Sequence, residues 1–273
     1  MRIPLYQLDA FAGALFSGNP AAVCPLGRWL DDRILQAIAA ENNLAETAFY
    51  VKRGDAWDLR WFSPTREIDL CGHATLATAW VIFHRRRRAP REGGSGERVT
   101  FHSKSGVLNV TRLEDRLELD FPAWQAAPCD SPAALVEGLG AAPREVLRTR
   151  DYLAVFERED QVRALAPRME SLASLDALGV IATAPGGSAG GEDGPDYVLR
   201  FFAPGAGVPE DPATGSAHSS LAPFWAARLG RARLTARQLS PRGGEFWCEH
   251  RGERVAIAGR VVPYLEGTIE VPD

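Results

Sequence analysis

The hexapeptide LRWFSP at residues 59–64 returns 140 residues later as LRFFAP at residues 199–204. Each copy is an apolar, strand-like run that ends at a proline. A turn of small residues follows each proline, DLCGHAT at 69–75 and PEDPATG at 209–215. Because the strand, the proline and the turn recur in the same order, we predict that one structural unit is present twice.

The ungapped spacing makes Cys71 and Asp211 equivalent positions at the two turns. Residues 73–84 and 215–229, which follow the turns, are apolar nearly all round, and this indicates a buried helix in each half. An amphipathic helix is predicted over 31–41. Strand composition marks residues 5–11, 47–51, 99–101, 107–111, 117–121, 152–156, 197–202, 245–250, 254–257 and 268–271. The sequence therefore predicts an α/β (α+β) fold with two pseudo-symmetric halves, each a strand-rich layer around one buried helix.

The boundary between the halves is expected where apolar alternation gives way to Ala, Pro and Ser, near residues 122–132. We predict an N-terminal half over 1–122, completed by the C-terminal strand in 262–273, and a C-terminal half over 123–261.

Composition narrows the class of protein. The chain has 273 residues, of which 45% are apolar and 24% charged, as expected of a soluble globular protein. The net charge of −4 predicts neither a nucleic-acid nor a membrane partner. The sequence has no signal-peptide pattern, no apolar run near the ~18 residues of a membrane span, and four scattered cysteines. We expect reduced thiols and a cytoplasmic location.

The repeated turns are the predicted place of the chemistry. A helix N-terminus exposes unpaired N–H groups and a partial positive charge, so it favours anions. Two such turns facing each other would hold a small carboxylate-bearing substrate while acid and base groups act on one carbon. This arrangement needs no metal or organic cofactor.

Glu46 is a further candidate, because it lies where the amphipathic helix gives way to a strand. We expect closeness to the core to raise its pKa into a range useful for proton transfer. Its position alone also fits a carboxylate at a solvated edge.

Four motifs in order carry a family resemblance: GNPAAV at 18–23, ENNLAETAF at 41–49, DLCGHAT at 69–75 and GVPEDPATGSA at 207–217. Together they resemble the phenazine-biosynthesis-like (PhzF-like) isomerase family, which shares the diaminopimelate epimerase fold. The resemblance implies two halves, each a curved, mostly antiparallel sheet around a central helix, with the active cleft between them. It also implies a homodimer, a role in a biosynthetic process and no cofactor, but not phenazine chemistry itself.

By motif match, Glu46 corresponds to the family's catalytic acid/base, and His73 and Asp211 to its supporting polar residues. Gly72 and the turn at Gly215 and Ser216 correspond to its carboxylate-contacting backbone. From the same motifs we expect Asn19 and Ala74 to bind substrate.

Two other functions stay open. Diaminopimelate epimerases and proline racemases use one cysteine at each turn, whereas here only the first turn has one, Cys71. An amino-acid epimerase or racemase with Cys71 as its thiol acid/base is therefore the second hypothesis. The third is a non-catalytic small-molecule-binding protein on the same fold. Since the chain has no His-x-x-x-His or Cys-x-x-Cys pair, no metal site is predicted.

Overall fold

A computed structural model describes residues 1–87, 96–187 and 194–272. The strands are β1 (Arg2–Ala10), β2 (Asn19–Leu26), β3 (Glu46–Arg53), β4 (Ala56–Phe62), β5 (Glu67–Ile68), β6 (Arg98–Ser103), β7 (Gly106–Arg112), β8 (Leu117–Pro122), β9 (Ala127–Pro128), β10 (Glu145–Arg148), β11 (Tyr152–Val155), β12 (Val180–Pro185), β13 (Tyr197–Phe202), β14 (Arg233–Gln238), β15 (Gly244–Arg251), β16 (Arg254–Gly259) and β17 (Val261–Glu270). The helices are α1 (Asp32–Asn42), α2 (Gly72–Arg87), α3 (Ala133–Leu139), α4 (Glu159–Arg163), α5 (Met169–Ala173) and α6 (His218–Leu229).

The chain forms two compact units. The first contains Met1–Asp120 and Ala258–Asp273, and the second contains Phe121–Ile257. In the first unit β17 pairs antiparallel with β1 over nearly its whole length, so the C-terminal strand belongs to the N-terminal unit.

The two units repeat the same order of strand pairing. In the first, β1–β2 is antiparallel, β2–β3 parallel, β3–β4 antiparallel, β4–β6 parallel and β6–β7 antiparallel. In the second, β10–β11, β11–β12, β12–β13, β13–β14 and β14–β15 follow in the same alternation. The hexapeptides at 59–64 and 199–204 lie on β4 and β13, the strands with equivalent places in the two orders. The predicted duplication is confirmed.

Each unit has a buried helix after its repeated strand, as the apolar patterns predicted. In α2 the apolar side chains from Ala74 to Phe83 are almost fully buried except for that of Trp80, and the helix packs on β1, β2 and β3. In α6 most residues up to Ala226 are buried. The amphipathic helix predicted over 31–41 is α1, and the side chain of Asp31 caps it by accepting the Arg33 amide at 2.8 Å. No helix in the described part of the chain is long and apolar enough to cross a membrane.

A partly buried arginine is also repeated. Arg60 on β4 donates to both carboxylate oxygens of Glu67, at 2.7 and 3.0 Å, and its guanidinium lies 5.1 Å from the ring centre of Phe62. Arg200 on β13 donates to both oxygens of Glu210, at 2.7 and 2.9 Å, and lies 4.9 Å from the ring of Phe202. In each unit this two-point contact ties the repeated strand to the segment that leads into the turn.

The second unit contains a buried polar cluster around His218, the first residue of α6. The phenol oxygen of Tyr197 lies 2.7 Å from His218 Nδ1, and the His218 ring lies 4.1 Å from that of Phe246. Among the described residues, the buried Nε2 atom of His218 has no hydrogen-bond partner. Because burial disfavours the charged ring, the pKa of His218 is lowered from 6.5 to about 3. The imidazole is therefore a neutral core side chain.

The His218→Asn variant should lose less stability in acid than the wild type. A ring whose pKa is lower in the folded chain binds fewer protons there, so acid favours unfolding, by about 2 kcal/mol between pH 7 and pH 5. Urea unfolding followed by tryptophan fluorescence at both pH values measures this difference. His250→Asn, which replaces a more exposed ring, is the control. Equal pH dependence of the His218→Asn variant and the wild type would contradict the assignment.

Candidate active site

Glu46 is the first residue of β3 and lies opposite Ala21 on the parallel strand β2. Asn42 and Asn43 end α1 just before it, and Asn43 takes the left-handed conformation, with φ at 47°, that turns the chain into the strand. Glu46 is therefore fixed at the end of a central strand, and its side chain is only 17% exposed. This placement differs from a carboxylate at a solvated edge.

The turn after β5 places Cys71 directly before Gly72, the first residue of α2. The Ala74 amide donates to the Cys71 sulfur, and the Thr75 hydroxyl donates to the Cys71 carbonyl at 2.5 Å. The thiol thus caps the helix, and the side chain of His73 is held in its first turn. The amides of Gly72 and His73 have no hydrogen-bond partner within the described residues.

The strand and the turn bring three predicted residues together. His73 Nε2 lies 3.2 Å from Glu46 Oε2, and His73 Nδ1 lies 3.5 Å from Cys71 Sγ. The three side chains are largely buried, with His73 8% and Glu46 17% exposed. The imidazole therefore bridges a carboxylate and a thiol, an arrangement suited to holding and moving protons.

The pKa of Glu46 corrects the expectation drawn from its position. Burial does favour a raised pKa, but the hydrogen bond and positive charge of His73, together with a hydrogen bond from Cys71, outweigh it and lower the pKa. Burial likewise favours a lower pKa for His73, yet its contacts with Cys71 and Glu46 raise that pKa well above the usual value. The contact therefore favours the charged forms of both groups, a carboxylate and an imidazolium, which suits Glu46 to act as a base.

Cys71 is different, because burial, with the nearby carboxylate of Glu46, raises the pKa of its thiol to about 11. At neutral pH the group is a protonated thiol. A thiol in this form is a poor nucleophile and a poor base.

The same three side chains also have the spacing of metal ligands, since their ligand atoms lie within 4.8 Å of one another. A metal ion would have to displace protons from Cys71 and His73, whose pKa values are both raised. The chemistry of this set therefore fits proton transfer better. The expectation that no metal takes part stays a prediction.

Asn19 lies in the same unit, at the start of β2. It precedes Ala21, the partner of Glu46, by two residues, so its side chain shares a sheet face with Glu46. Gly18 has a φ of +72°, and a Cβ there would come within 2.4 Å of the Ala10 carbonyl. The glycine of the GNPAAV motif thus allows the tight approach that begins β2. A role of Asn19 in binding stays a prediction.

The remaining predicted residues lie in the second unit. Thr214 Oγ1 donates to a carboxylate oxygen of Asp211 in a very short contact, and the Thr214 amide donates to Gln238 Oε1 at 2.8 Å. Gln238 Nε2 in turn donates to the Asp211 carbonyl at 2.5 Å. This network fixes the turn before Gly215. Sequence reasoning missed Gln238, because no motif or spacing connects it to a turn 24 residues away.

The equivalence of Cys71 and Asp211 is wrong. The ungapped spacing of 140 holds for the repeated strands, but the helical segments begin at Gly72 and Gly215, which are 143 residues apart. The chain before the second turn is three residues longer, so Cys71 is equivalent to Thr214. His73 is then equivalent to Ser216, and both copies read Gly-x-Ala.

Comparison with known proteins finds relatives over the whole chain. Residues 8–267 match the sequence profile of the family described as phenazine biosynthesis-like protein. An uncharacterized isomerase of Pseudomonas aeruginosa is 50% identical over 99% of this chain and 100% of its own length. A PhzF-family protein of Enterococcus faecalis superposes with a TM-score of 0.92 at 43% identity, covering 99% of this chain and 100% of that chain.

A more distant likeness shows the fold alone. A hydroxyproline epimerase from Agrobacterium vitis superposes with a TM-score of 0.65 at 12% identity, covering 100% of this chain and 93% of that chain. The mixed, sheet-dominated class predicted from the sequence is thereby confirmed.

The coupling of Glu46 to His73 is open to direct titration. Replacing Glu46 with Gln removes a negative charge 3.2 Å from the ring, so the pKa of His73 should fall. Histidine ring NMR across pH, with the signal assigned by its loss in a His73→Gln variant, measures the shift. Glu41→Gln, an exposed position on α1, is the matched control. An unchanged His73 pKa in Glu46→Gln would show that the ion pair does not form.

Proposed function

We propose, since the chain belongs to the phenazine biosynthesis-like protein family, that it is an isomerase that moves a proton on a small carboxylate-bearing substrate by general acid–base catalysis. The observation that carries the proposal is the buried contact of 3.2 Å between Glu46 and His73. It places a carboxylate beside an imidazole whose protonated form is favoured, inside one unit of the fold.

Glu46 is proposed as the group that takes the proton from carbon. Its lowered pKa favours the anion before reaction and makes the protonated group a stronger acid than an ordinary carboxylic acid. Such a group returns its proton readily, which suits transfer from one carbon to another on the same face. The abstraction itself is then the demanding step, and it depends on stabilisation of the charge that develops on the substrate.

The first amides of α2 are proposed to supply part of that stabilisation. The N–H groups of Gly72 and His73 begin a helix of 16 residues and make no bond to other described residues. A substrate carboxylate, or an enolate-like oxygen, has the charge that these donors favour. Contacts of the substrate with Ala74, Gly215 and Ser216, and the supporting role of Asp211, stay part of the proposal.

The alternative is an amino-acid epimerase that uses Cys71. Its favouring observation is the 3.5 Å contact between the thiol and the imidazole of His73. Against it, the thiol has a raised pKa, and the equivalent residue at the second turn is Thr214, which carries no thiol. A mechanism that needs one thiol at each turn therefore lacks its second thiol.

A cytoplasmic location, a homodimer, a biosynthetic role and independence of any cofactor stay predictions. The prediction that no metal takes part is tested by dialysis against a chelator, which should leave turnover unchanged.

Proton transfer is tested by incubating the protein with a metabolite extract in deuterated water and searching by mass spectrometry for a gain of one deuteron. The wild type should label at least one carboxylate metabolite, and Glu46→Gln should reduce that labelling by a thousandfold or more, on the order expected for loss of an acid/base group.

Glu41→Gln is the control, and Cys71→Ser separates the two mechanisms. Labelling that survives in Glu46→Gln but is lost in Cys71→Ser, on an amino acid, would support the epimerase instead. If the wild type labels nothing, the non-catalytic binding function gains support.

A further inference from the structure

The strand registers identify which position of the second unit is equivalent to Glu46. Thr47 lies opposite Phe62, and Val180 lies opposite Phe202, the matching residue of the repeated hexapeptide. The residue before Val180 is Gly179, so Gly179 stands where Glu46 stands in the first unit.

Gly179 has no room for a side chain. A Cβ there would come within 2.6 Å of the Phe201 ring and 2.9 Å of the Phe202 carbonyl. The second unit therefore has no carboxylate at this position. The turn that leads into the neighbouring strand, β11, supplies other groups instead, because the Tyr152 amide bonds to the Gly179 carbonyl and brings Arg150 and Asp151 to the same end of the sheet.

Arg150 reaches the second turn. Its Nη2 atom lies 3.5 Å from the hydroxyl of Ser216, the residue equivalent to His73. In the first unit Glu46, at the end of β3, contacts His73, the second residue of the helix. In the second unit Arg150 makes the corresponding contact with Ser216. The group that contacts the second residue of the helical segment is thus a carboxylate in the first unit and a guanidinium from a different part of the chain in the second.

The guanidinium of Arg150 is held in a fixed orientation. Its Nη2 and Nε atoms donate to Asp151 Oδ2 at 2.9 and 3.3 Å, and its plane lies over the ring of Trp124, 4.9 Å from the centre. Trp124 is itself tied to α6 by its amide, which donates to the Ser219 carbonyl at 2.8 Å. Asp151, and Trp124 through its bond to α6, thus hold the side chain of Arg150 in place.

Asp151 orients Arg150 but does not engage all of the N–H donors of its guanidinium. Its side chain is 1% exposed, and its Oδ1 atom is buried without a hydrogen-bond partner in the described residues. A guanidinium has five N–H donors. Asp151 and Ser216 engage those of Nε and Nη2, whereas Nη1 has no partner among the described residues. Because the side chain is 35% exposed, an incoming anion has access to it.

We propose that Arg150, together with Ser216, binds a carboxylate of the substrate and so selects for carboxylate-bearing molecules. This inference rests on the proposed function for its ligand class, but its contacts lie entirely within the second unit. A planar carboxylate suits the free Nη1 edge of the guanidinium and the Ser216 hydroxyl. Asp151 and Trp124 are positioning residues in this site.

Binding of simple anions tests the site without any substrate. Titration calorimetry with benzoate should show millimolar binding to the wild type, and neutral benzamide should not bind. Arg150→Gln should weaken benzoate binding at least tenfold. Arg150→Lys keeps the charge but loses the planar fork of N–H donors. Its affinity for benzoate should therefore lie between those of the wild type and Arg150→Gln.

Arg148→Gln is the matched control. Arg148 is 37% exposed, pairs with Asp176 and lies 4.9 Å from the ring centre of Tyr152, so it resembles Arg150 in exposure, pairing and stacking. This variant should bind benzoate as the wild type does. If Arg150→Gln does not fold, the ratio between Arg150→Lys and Arg148→Lys decides the test.

Two results would overturn the proposal. Benzoate binding that is equal in Arg150→Gln and the wild type would show a purely structural arginine. Inorganic phosphate that binds more tightly than benzoate, again through Arg150, would show that the site selects phosphate. Benzoate binding is measured without turnover, so unchanged deuteron labelling in Glu46→Gln would count against the proposed proton transfer alone, and unchanged benzoate binding in Arg150→Gln against this site alone.

Discussion

The two-point contact between a partly buried arginine and a glutamate holds each repeated strand to the segment that leads into the adjoining turn. Arg60 with Glu67, and Arg200 with Glu210, occupy the same place in the two units. Both pairs are largely buried, where removal of one partner leaves an uncompensated charge. The distance from the repeated strand to the helix start is thereby fixed in each unit, and the contacts made by His73 and Ser216 depend on that distance.

The two units share one order of strand pairing, but the side chains at their turns differ in chemistry. The first turn carries His73 against Glu46, and the second carries Ser216 against Arg150. Close packing at Gly179 explains part of the difference, because no side chain fits there. We therefore propose proton transfer by the first unit and binding of the anion by the second. A buried residue, Cys71 or Asp151, holds the acting side chain of each unit in place.

The fold was predictable from the sequence because strand periodicity and apolar helix patterns are local signals, and the repeat can be read directly from the sequence. The pairing of Glu46 with His73 was predictable from family motifs, whereas the motifs grouped them with Asp211 and gave Cys71 a place only in the alternative function. The pKa direction was not, because it depends on the 3.2 Å contact with His73, which position in the sequence does not reveal. The three-residue extension before Gly215 misled the ungapped alignment. Arg150 carried no motif, and its role emerges only from strand register and from its contact with Ser216.

The most direct test of the central claim, that one carboxylate carries the proton, is the fate of the label in a single turnover. A substrate deuterated at the donor carbon is converted in ordinary water, and the product is examined for deuterium at the acceptor carbon. If Glu46 takes and returns the same nucleus within a largely buried site, part of the label should be retained, and Cys71→Ser should retain it equally. Complete loss of label in the first turnover, with activity that depends on Cys71, would contradict the account.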